Sequence, residues 1–497
     1  MIRTKIVATM GPACGDVETL LRLFEAGADV CRLNFSHGTL DAHLQMLRNI
    51  REAAVRYSHP IAVLGDLCGP KIRLGQVADE GGTGGMTTAP GDELVLQRAT
   101  IVGAKGRVSS TLPHLIDDVQ VGHRIYIEDG LLRFVCTDKN YNELRLNCIV
   151  GGILKTAKGI NLPDTSVNVP SITDRDWECA DWAIENDLDY LALSFVRKPD
   201  DIQLIRQHLS NRGSDIQIIA KIEKAEALQF IEGIIDVSDG LMVARGDLGV
   251  EMDLAQVPLI QKDLIRRCQS AGKPVIVATQ MLQSMIEQAS PTRAEVSDVA
   301  NAIFDATDAL MLSGETSVGK FPVGAVHVMS RVAEVTEQYL ISQNDGARDL
   351  PLKLKTMALS NAVAKGVRQM VVELRAKLVV VWSQTGATAR IFSKTRFPVP
   401  IVALSSDHRA LRRMALHFGV IPHETQPVAD ERAMVRAVDE IVTEQNYAKA
   451  GDRVVIVAGS SLGTPHMLNG VLIHTIGGEP EHLSEGAAPM VETEETM

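Results

Sequence analysis

IQIIAKIEKAEALQFIEGIIDVSDGLMVARGD, Ile216 to Asp247, contains two short runs rich in aliphatic and β-branched residues, Ile216–Glu223 and Gly240–Arg245, each ending on charged side chains. A strand that is apolar along its whole length is buried on both faces, as in a parallel sheet covered by helices. Similar runs stand at Lys5–Met10, Asp29–Ser36, Ile61–Asp66, Tyr190–Phe195, Pro274–Gln280 and Ala309–Glu315. Amphipathic segments of helical length lie between most of them, such as Val17–Ala26, Pro199–Leu209 and Leu259–Ala271. Thr292 and Glu295 form a capping box that opens a further helix, Ala294–Ala306. Eight strands alternating with helices predict a (β/α)8 TIM barrel, an α/β fold whose active site gathers at the C-terminal ends of the strands. Those ends carry Asn34, Ser36, Asp66, Lys221, Glu223, Thr279, Ser313 and Glu315, and Asp247 follows just after the sixth.

The alternation breaks between the third and fourth strands. Residues 71–169 are glycine-rich and hold short strand-like runs, Glu93–Gln97, Arg124–Glu128 and Glu143–Ile149. They predict a small inserted β domain of barrel type, placed at the mouth as a lid, and leave 1–70 and 170–342 to the catalytic barrel. Beyond residue 343 the runs Lys377–Ser383, Val399–Ser406 and Arg453–Gly459, with helical segments such as Glu431–Glu444, predict a C-terminal α/β domain with a mostly parallel sheet over 343–478. The acidic stretch 479–497 has few large apolar residues and reads as a disordered tail.

At 497 residues the chain is too long for one core. No apolar run approaches a membrane span, and Met1–Lys5 enters a strand without the layout of a signal peptide. Seven scattered cysteines without a CxxC pair fit a reducing, cytoplasmic setting and give no zinc or disulfide framework. A formal charge of −12 argues against nucleic acid as a general partner. Anionic substrates would therefore need a local basic exception.

That exception begins with Lys221 and Glu223, two apart on one strand and so facing the same way into the barrel mouth. Gly246 allows close backbone approach, and the N–H groups there suit a carboxylate or phosphate. Glu223 and Asp247, from neighbouring strands, suit a hard cation such as magnesium. With Lys221 beside it, such a cation would stabilise a transferring phosphoryl group. Taken singly, each group has a plainer reading: a salt bridge closing the barrel for Lys221 and Glu223, a helix cap for Asp247, turn hydrogen bonds for Asn34 and Ser36. Their convergence at one end of one barrel favours chemistry. GETSVGK, Gly314 to Lys320, nearly spells a phosphate-binding loop, but Phe321 replaces the hydroxyl residue that would hold magnesium, and the fold is wrong for it. Two rivals remain at this stage: a magnesium-and-enolate lyase or mutase on the same barrel, and a non-catalytic protein that keeps the fold.

RLNFSHG (Arg32–Gly38), GPKIRLG (Gly69–Gly75), KGINLP (Lys158–Pro163), AKIE (Ala220–Glu223), MVARGDLGVE (Met242–Glu251), ATQML around Thr279, and the long Ser290–Thr316 stretch resemble the pyruvate kinase family, in the family's order. The resemblance implies phosphoryl transfer from phosphoenolpyruvate to ADP, giving pyruvate and ATP, in a cytoplasmic homotetramer. It implies Glu223 and Asp247 as ligands of magnesium or manganese, and Lys221 as the cation facing the phosphoryl group in flight. Arg32 would meet the substrate phosphate. Gly246, Asp247 and Thr279 would hold the substrate carboxylate. Arg73, Arg175, Asn34 and His37 would meet the nucleotide, and Thr279, Ser313 and Glu315 would lie where a proton reaches the enolpyruvate carbon. Potassium-dependent members carry an acid where this chain has Lys71, beside a monovalent-cation site matching Asn34, Ser36, Asp66 and the Leu67 carbonyl. The substitution implies that Lys71 supplies the unit charge and that potassium is dispensable. At roughly 4 Å and an effective dielectric near 20, an ammonium and a carboxylate attract by about 4 kcal/mol before desolvation. SQTGATAR, Ser383 to Arg390, resembles the family's sugar-phosphate loop, with Ser383, Thr385, Gly386 and Thr388 as the cradle for a phosphorylated effector.

Overall fold

The computed structural model describes residues 2–167, 169–343, 358–428, 430–459 and 470–478. Eight parallel strands close a barrel: β1 (Lys5–Thr9), β2 (Val30–Asn34), β3 (Ala62–Asp66), β4 (Tyr190–Leu193), β5 (Gln217–Ile222), β6 (Gly240–Ala244), β7 (Val275–Ala278) and β8 (Ala309–Leu312). Their apolar residues fill two layers. Val7, Leu64, Tyr190, Ile219, Met242 and Met311 pack inside the barrel. Ile6, Val63, Ile218, Val243 and Leu310 pack outward against the helices. Burial on both faces is what the continuous apolar runs require. The capping box on helix Arg293–Phe304 is present with both of its hydrogen bonds.

Seven of the eight strands stop one to three residues before their apolar runs end, and β3 reaches the end of its run at Asp66. At the end of β4 the chain turns left-handed at Phe195 (φ 54°), and after β7 it does so at Thr279 (φ 70°) and Gln280 (φ 56°). These residues leave the ladder and turn their backbone toward the mouth.

Between β3 and β4 lies a six-stranded sheet ordered Ile160–Asn161, Arg124–Ile127, Leu132–Lys139, Glu143–Val150, Glu93–Gln97, Arg107–Ser109. Bridges from Arg73 to Gly159 and from Leu74 to Ser110 join its two edges and close it around a separate core that includes Phe134, Leu144, Leu146 and Ile125. Arg197, just beyond β4, donates to the Val167 and Val169 carbonyls at 3.0 Å and ties the chain returning from this insertion to the barrel.

The C-terminal sheet runs β11 (Val420–Glu424), β10 (Ile401–Ser405), β9 (Leu378–Trp382), β12 (Arg453–Ala458), β13 (Gly470–Thr475), parallel except for the last pair. It is not an independent appendage. Ala415 and Leu416 belong to the inner barrel core and close its base. Arg412 pairs with Asp189 at 2.7 Å, Arg413 with Asp215 at 2.9 Å, and the Tyr190 hydroxyl donates to the Arg413 carbonyl at 2.6 Å. The acidic stretch 479–497 lies outside the described residues. Among the described residues no helix is long and apolar enough to cross a membrane, and all seven cysteines are free.

Candidate active site

Parallel register brings the strand ends together. Asn34 pairs with Asp66 across β2 and β3, and Lys221 with Met242 across β5 and β6. Asp66 is almost fully buried and sits between two cations: Arg32 Nε donates to its Oδ2 at 2.7 Å, and Lys221 Nζ lies 3.1 Å from its Oδ1. The second contact is an ion pair by distance but is poorly aligned as a hydrogen bond, so Oδ1 is left with unused accepting capacity. Burial alone would raise the Asp66 carboxyl, but the Lys221 and Arg32 charges hold it below the usual carboxylate range.

Lys221 Nζ also meets Glu223 at 2.9 Å and donates to Ser194 Oγ at 2.6 Å, and Ser194 Oγ in turn donates to the Leu67 carbonyl at 2.7 Å. Burial disfavours the ammonium, yet Asp66 and Glu223 more than compensate and raise its pKa. The two carboxylates thus favour the charged form of Lys221. Glu223 accepts the Phe195 N–H at 2.8 Å. Its carboxyl is pushed up, first by burial and then, against the Lys221 charge, by the neighbouring Asp247 carboxylate. Two carboxylates that repel each other at the mouth of a cleft have the donor chemistry of a hard divalent cation, which takes one or two protein carboxylates and fills its shell with water and substrate oxygens. Among the described residues no cluster of three or more metal-ligating side chains exists, so a metal here relies on these two.

Asp247 lies inside the short helix Arg245–Glu251, which starts directly after β6, and does not cap it. Gly246 N–H donates to Thr279 Oγ1 at 2.8 Å, and Thr279 donates to the Ala278 carbonyl at 2.6 Å. The pair expected to grip a carboxylate thus meets in the structure. Glu315 is buried and spends both oxygens on backbone N–H groups, Leu282 at 3.1 Å and Ser313 at 2.7 Å. It fixes the loops after β7 and β8.

Other predicted residues lie further from this cluster's bonding. Asn34 Oδ1 accepts from Ser36 N–H at 3.2 Å, the plain turn bond, and Ser36 and His37 are exposed. Arg73 donates to the Ala157 carbonyl at 3.0 Å within the insertion. Arg175 is exposed and pairs with Glu178 at 2.8 Å. Leu67 is buried and offers its carbonyl to Ser194, as described. In the C-terminal sheet Ala389 N–H donates to Ser383 Oγ at 3.4 Å, Gly386 is left-handed (φ 77°), and Thr385 is exposed with Thr388 half-buried.

Lys71 differs from its expected setting. The cations that meet Asp66 are Arg32 and Lys221, whereas Lys71 is exposed and makes no ion pair with a described residue. It lines a cleft between insertion and barrel together with Asn161, Phe195, Arg197, Lys224 and Asp247. The physical reason is the turn itself: Gly69 is left-handed (φ 64°), the Lys71 N–H closes back on the Gly69 carbonyl at 2.8 Å, and the chain leaves β3 for the insertion.

Sequence reasoning missed Ser194 and Phe195, which orient Lys221 and Glu223. The strand-end rule that found the other groups applied equally to Tyr190–Phe195. It also missed Glu251, which accepts from Lys224 Nζ at 2.7 Å and from Asn161 of the insertion at 3.1 Å.

Two family models match the chain: pyruvate kinase, barrel domain, over residues 1–326, and pyruvate kinase, alpha/beta domain, over 361–474. A pyruvate kinase of Geobacillus stearothermophilus is 42% identical over 477 residues, 95% of this chain and 80% of that one. One from Dictyostelium discoideum is 38% identical over 482 residues, 96% of this chain and 95% of that one. The crystal structure of a pyruvate kinase from Cryptosporidium parvum superposes with a TM-score of 0.89 at 34% identity, covering 96% of each chain.

Proposed function

The chain belongs to the pyruvate kinase family and is a phosphotransferase, and from that premise we propose how its own residues carry the transfer of a phosphoryl group from phosphoenolpyruvate to ADP. The observation that supports the reading best is Lys221, its side chain only 12% exposed and held as a cation between Asp66 and Glu223, with Asp247 close enough to Glu223 to perturb it. A phosphoryl group in flight spreads charge over its oxygens, and catalysis consists mainly of fixed opposite charge and positioning. Lys221 supplies that charge without reorganising, because Asp66, Glu223 and Ser194 already hold it. Glu223 and Asp247 would hold magnesium or manganese, which supplies Lewis-acid neutralisation of phosphoryl oxygens.

The Gly246 amide exchanges its bond to the Thr279 hydroxyl, and that hydroxyl its bond to the Ala278 carbonyl, for bonds to the substrate carboxylate. Arg32, braced by Asp66 and by Thr9 Oγ1 at 3.0 Å, faces the substrate phosphate. Arg73 approaches the nucleotide from the insertion, Arg175 from helix Asp174–Glu185 ahead of β4, and Asn34 and His37 from the end of β2 and the segment after it. A proton reaches the enolpyruvate carbon from the side of Thr279 and Ser313 through water, with Glu315 positioning both loops. Lys71 takes the charge role of a monovalent cation from the wall of the cleft, so potassium is dispensable. The Ser383–Thr388 loop cradles a phosphorylated effector, and the molecule works as a cytoplasmic homotetramer in glycolysis.

The test is Lys221→Met. The parent protein forms ATP and pyruvate one for one from phosphoenolpyruvate and ADP with magnesium. Removing a preorganised charge lowers kcat by about 10²–10³ or more. A variant that retained full kcat would remove Lys221 from the chemistry.

A further inference from the structure

The two stems of the insertion carry one cysteine each. Cys68 is half-buried between Asp66, at the end of β3, and the left-handed Gly69, where the chain leaves for the insertion. Cys179 is buried in helix Asp174–Glu185, the first helix after the chain returns. The stems are fastened to each other beside these thiols. Asp176, in the first turn of that helix, accepts the Gly69 N–H through Oδ1 at 3.1 Å. Cys179 follows Asp176 by three residues and so lies on the same helix face, one turn further on. Cys68 packs against the hydrophobic core to which Cys179 belongs. The Cys68 sulfur acts on the Cys179 thiol more strongly than Asp176 and Glu178 do, although both of those lie within one turn of it. The two sulfurs are therefore neighbours across the neck of the insertion, and both are free.

Their surroundings belong to the nucleotide side of the cleft. The Ser36 side chain hydrogen-bonds with the Cys68 sulfur, and Arg175 is close enough to both thiols to act on their ionisation, against Asp66, Asp176 and Glu178. Burial raises both thiols above the ordinary range, Cys179 up to about 12, so they are protonated at neutral pH and exchange slowly. The rate is slowed, but the equilibrium is set by geometry and by the redox poise. Gly69 leaves the strand end no slack. A Cβ there would lie 2.7 Å from Phe195 and 3.1 Å from Ser194, the residues that orient Glu223 and Lys221.

We propose that Cys68 and Cys179 form a reversible disulfide, a redox latch across the neck of the insertion that weakens use of the nucleotide; that the nucleotide lies on this side rests on the phosphoryl-transfer reading. The oxidant is a small disulfide. The Cys68 thiolate attacks one of its sulfurs and releases one thiolate, and Cys179, after losing its proton, attacks the Cys68 sulfur and releases the second. Two cysteine thiols lose two electrons and two protons, and the small disulfide becomes two thiols. The new bond closes a loop that contains the whole insertion. A disulfide needs its Cα atoms within about 7 Å. With Gly69 wedged, closure moves the start of the helix, carries Arg175 with it, and takes Cys68 from Ser36. In a reducing compartment such a bond is transient, as redox-sensing disulfides are.

The full chain is equilibrated with glutathione disulfide and glutathione at several ratios, quenched in acid, alkylated and mapped by peptide mass spectrometry. The expected product is a single internal disulfide, Cys68–Cys179, with the other thiols alkylated. Its formation should lower kcat/KM for ADP by about tenfold, roughly 1.4 kcal/mol, and dithiothreitol should restore it. Cys68→Ser and Cys179→Ala should each keep the activity of the reduced parent and lose the response. No linked peptide at the most oxidising ratio, a glutathione adduct on Cys68 alone, a formed bond with kcat/KM for ADP unchanged, or inhibition of Cys179→Ala to the same extent as the parent would overturn the proposal. The peptide map reads the bond without turnover, whereas failure of the phosphoryl-transfer reading appears as missing activity in the reduced protein.

Discussion

Glu251 closes the short helix that carries Gly246 and Asp247, and it is the one residue of that helix tied to both the barrel and the insertion. It is 5% exposed. Its Oε1 accepts from Lys224 Nζ at 2.7 Å and from Asn161 Nδ2 at 3.1 Å, while Val250 beside it packs near Gly130 of the insertion. Glu251→Ala removes two hydrogen bonds accepted by one carboxylate oxygen, one from an ammonium and one from an amide, together nominally about 2–4 kcal/mol. The Lys224 side chain remains 23% exposed and regains water, which brings the expected loss toward the lower end, about 2 kcal/mol. If the tie is made only when the insertion sits over the site, that loss falls on the productive arrangement. It then lowers kcat/KM for ADP by roughly 30-fold. Glu251→Gln keeps an oxygen for Asn161 without the charge for Lys224 and should fall between. Steady-state kinetics with ADP varied, alongside melting curves, read both effects. A kcat/KM for ADP within about twofold of the parent, in a variant that melts lower by the amount 2 kcal/mol implies, would refute the lid argument and leave Glu251 a purely structural residue.

Other expectations follow from the same geometry. Lys71→Glu should make activity depend on potassium, read by assays with and without the ion; potassium-indifferent activity would strip Lys71 of its charge role. Because the Glu223 carboxyl is raised, protons compete with the metal above the ordinary carboxylate range, so apparent magnesium affinity should fall as pH drops through the raised value; a flat magnesium dependence across that limb would contradict the pairing of Glu223 with Asp247. Asp66 runs the other way. Its folded pKa is lowered, so the stability it contributes is present above the unfolded carboxylate value and is lost as pH falls through the folded one, which Asp66→Asn should abolish in acid-unfolding curves. Leu416→Ala opens a void in the barrel's inner core and should cost about 2–5 kcal/mol in chemical denaturation, although the residue belongs to the C-terminal part of the chain.

The barrel was legible because its strands are apolar on both faces and its helices carry ordinary start signals, Thr292 and Glu295 among them. Strand ends were read too long at Phe195 and Thr279, since left-handed backbone at a non-glycine residue leaves no mark in composition. Lys221, Glu223, Asp247 and Thr279 could be found because strand spacing alone places them at one mouth. Ser194 was overlooked, and Lys71 was expected closer to Asp66 than the glycine turn allows. The plugging of the barrel base by Ala415 and Leu416 was invisible, because these residues meet β1 to β8 only after the chain has folded across hundreds of positions. The ion cluster of Lys394, Arg396 and Asp308 is of the same kind: three ordinary residues that meet only when two parts of the protein close on them.

The most direct measurement is pyruvate formation from phosphoenolpyruvate, with ADP and magnesium, in a buffer free of potassium and sodium. The account predicts pyruvate formed one for one with ATP, dependent on both ADP and the divalent ion, at a rate unchanged when potassium is added. Pyruvate released without ADP, or no pyruvate in either buffer, would contradict the assignment of Lys221, Glu223 and Asp247 to phosphoryl transfer.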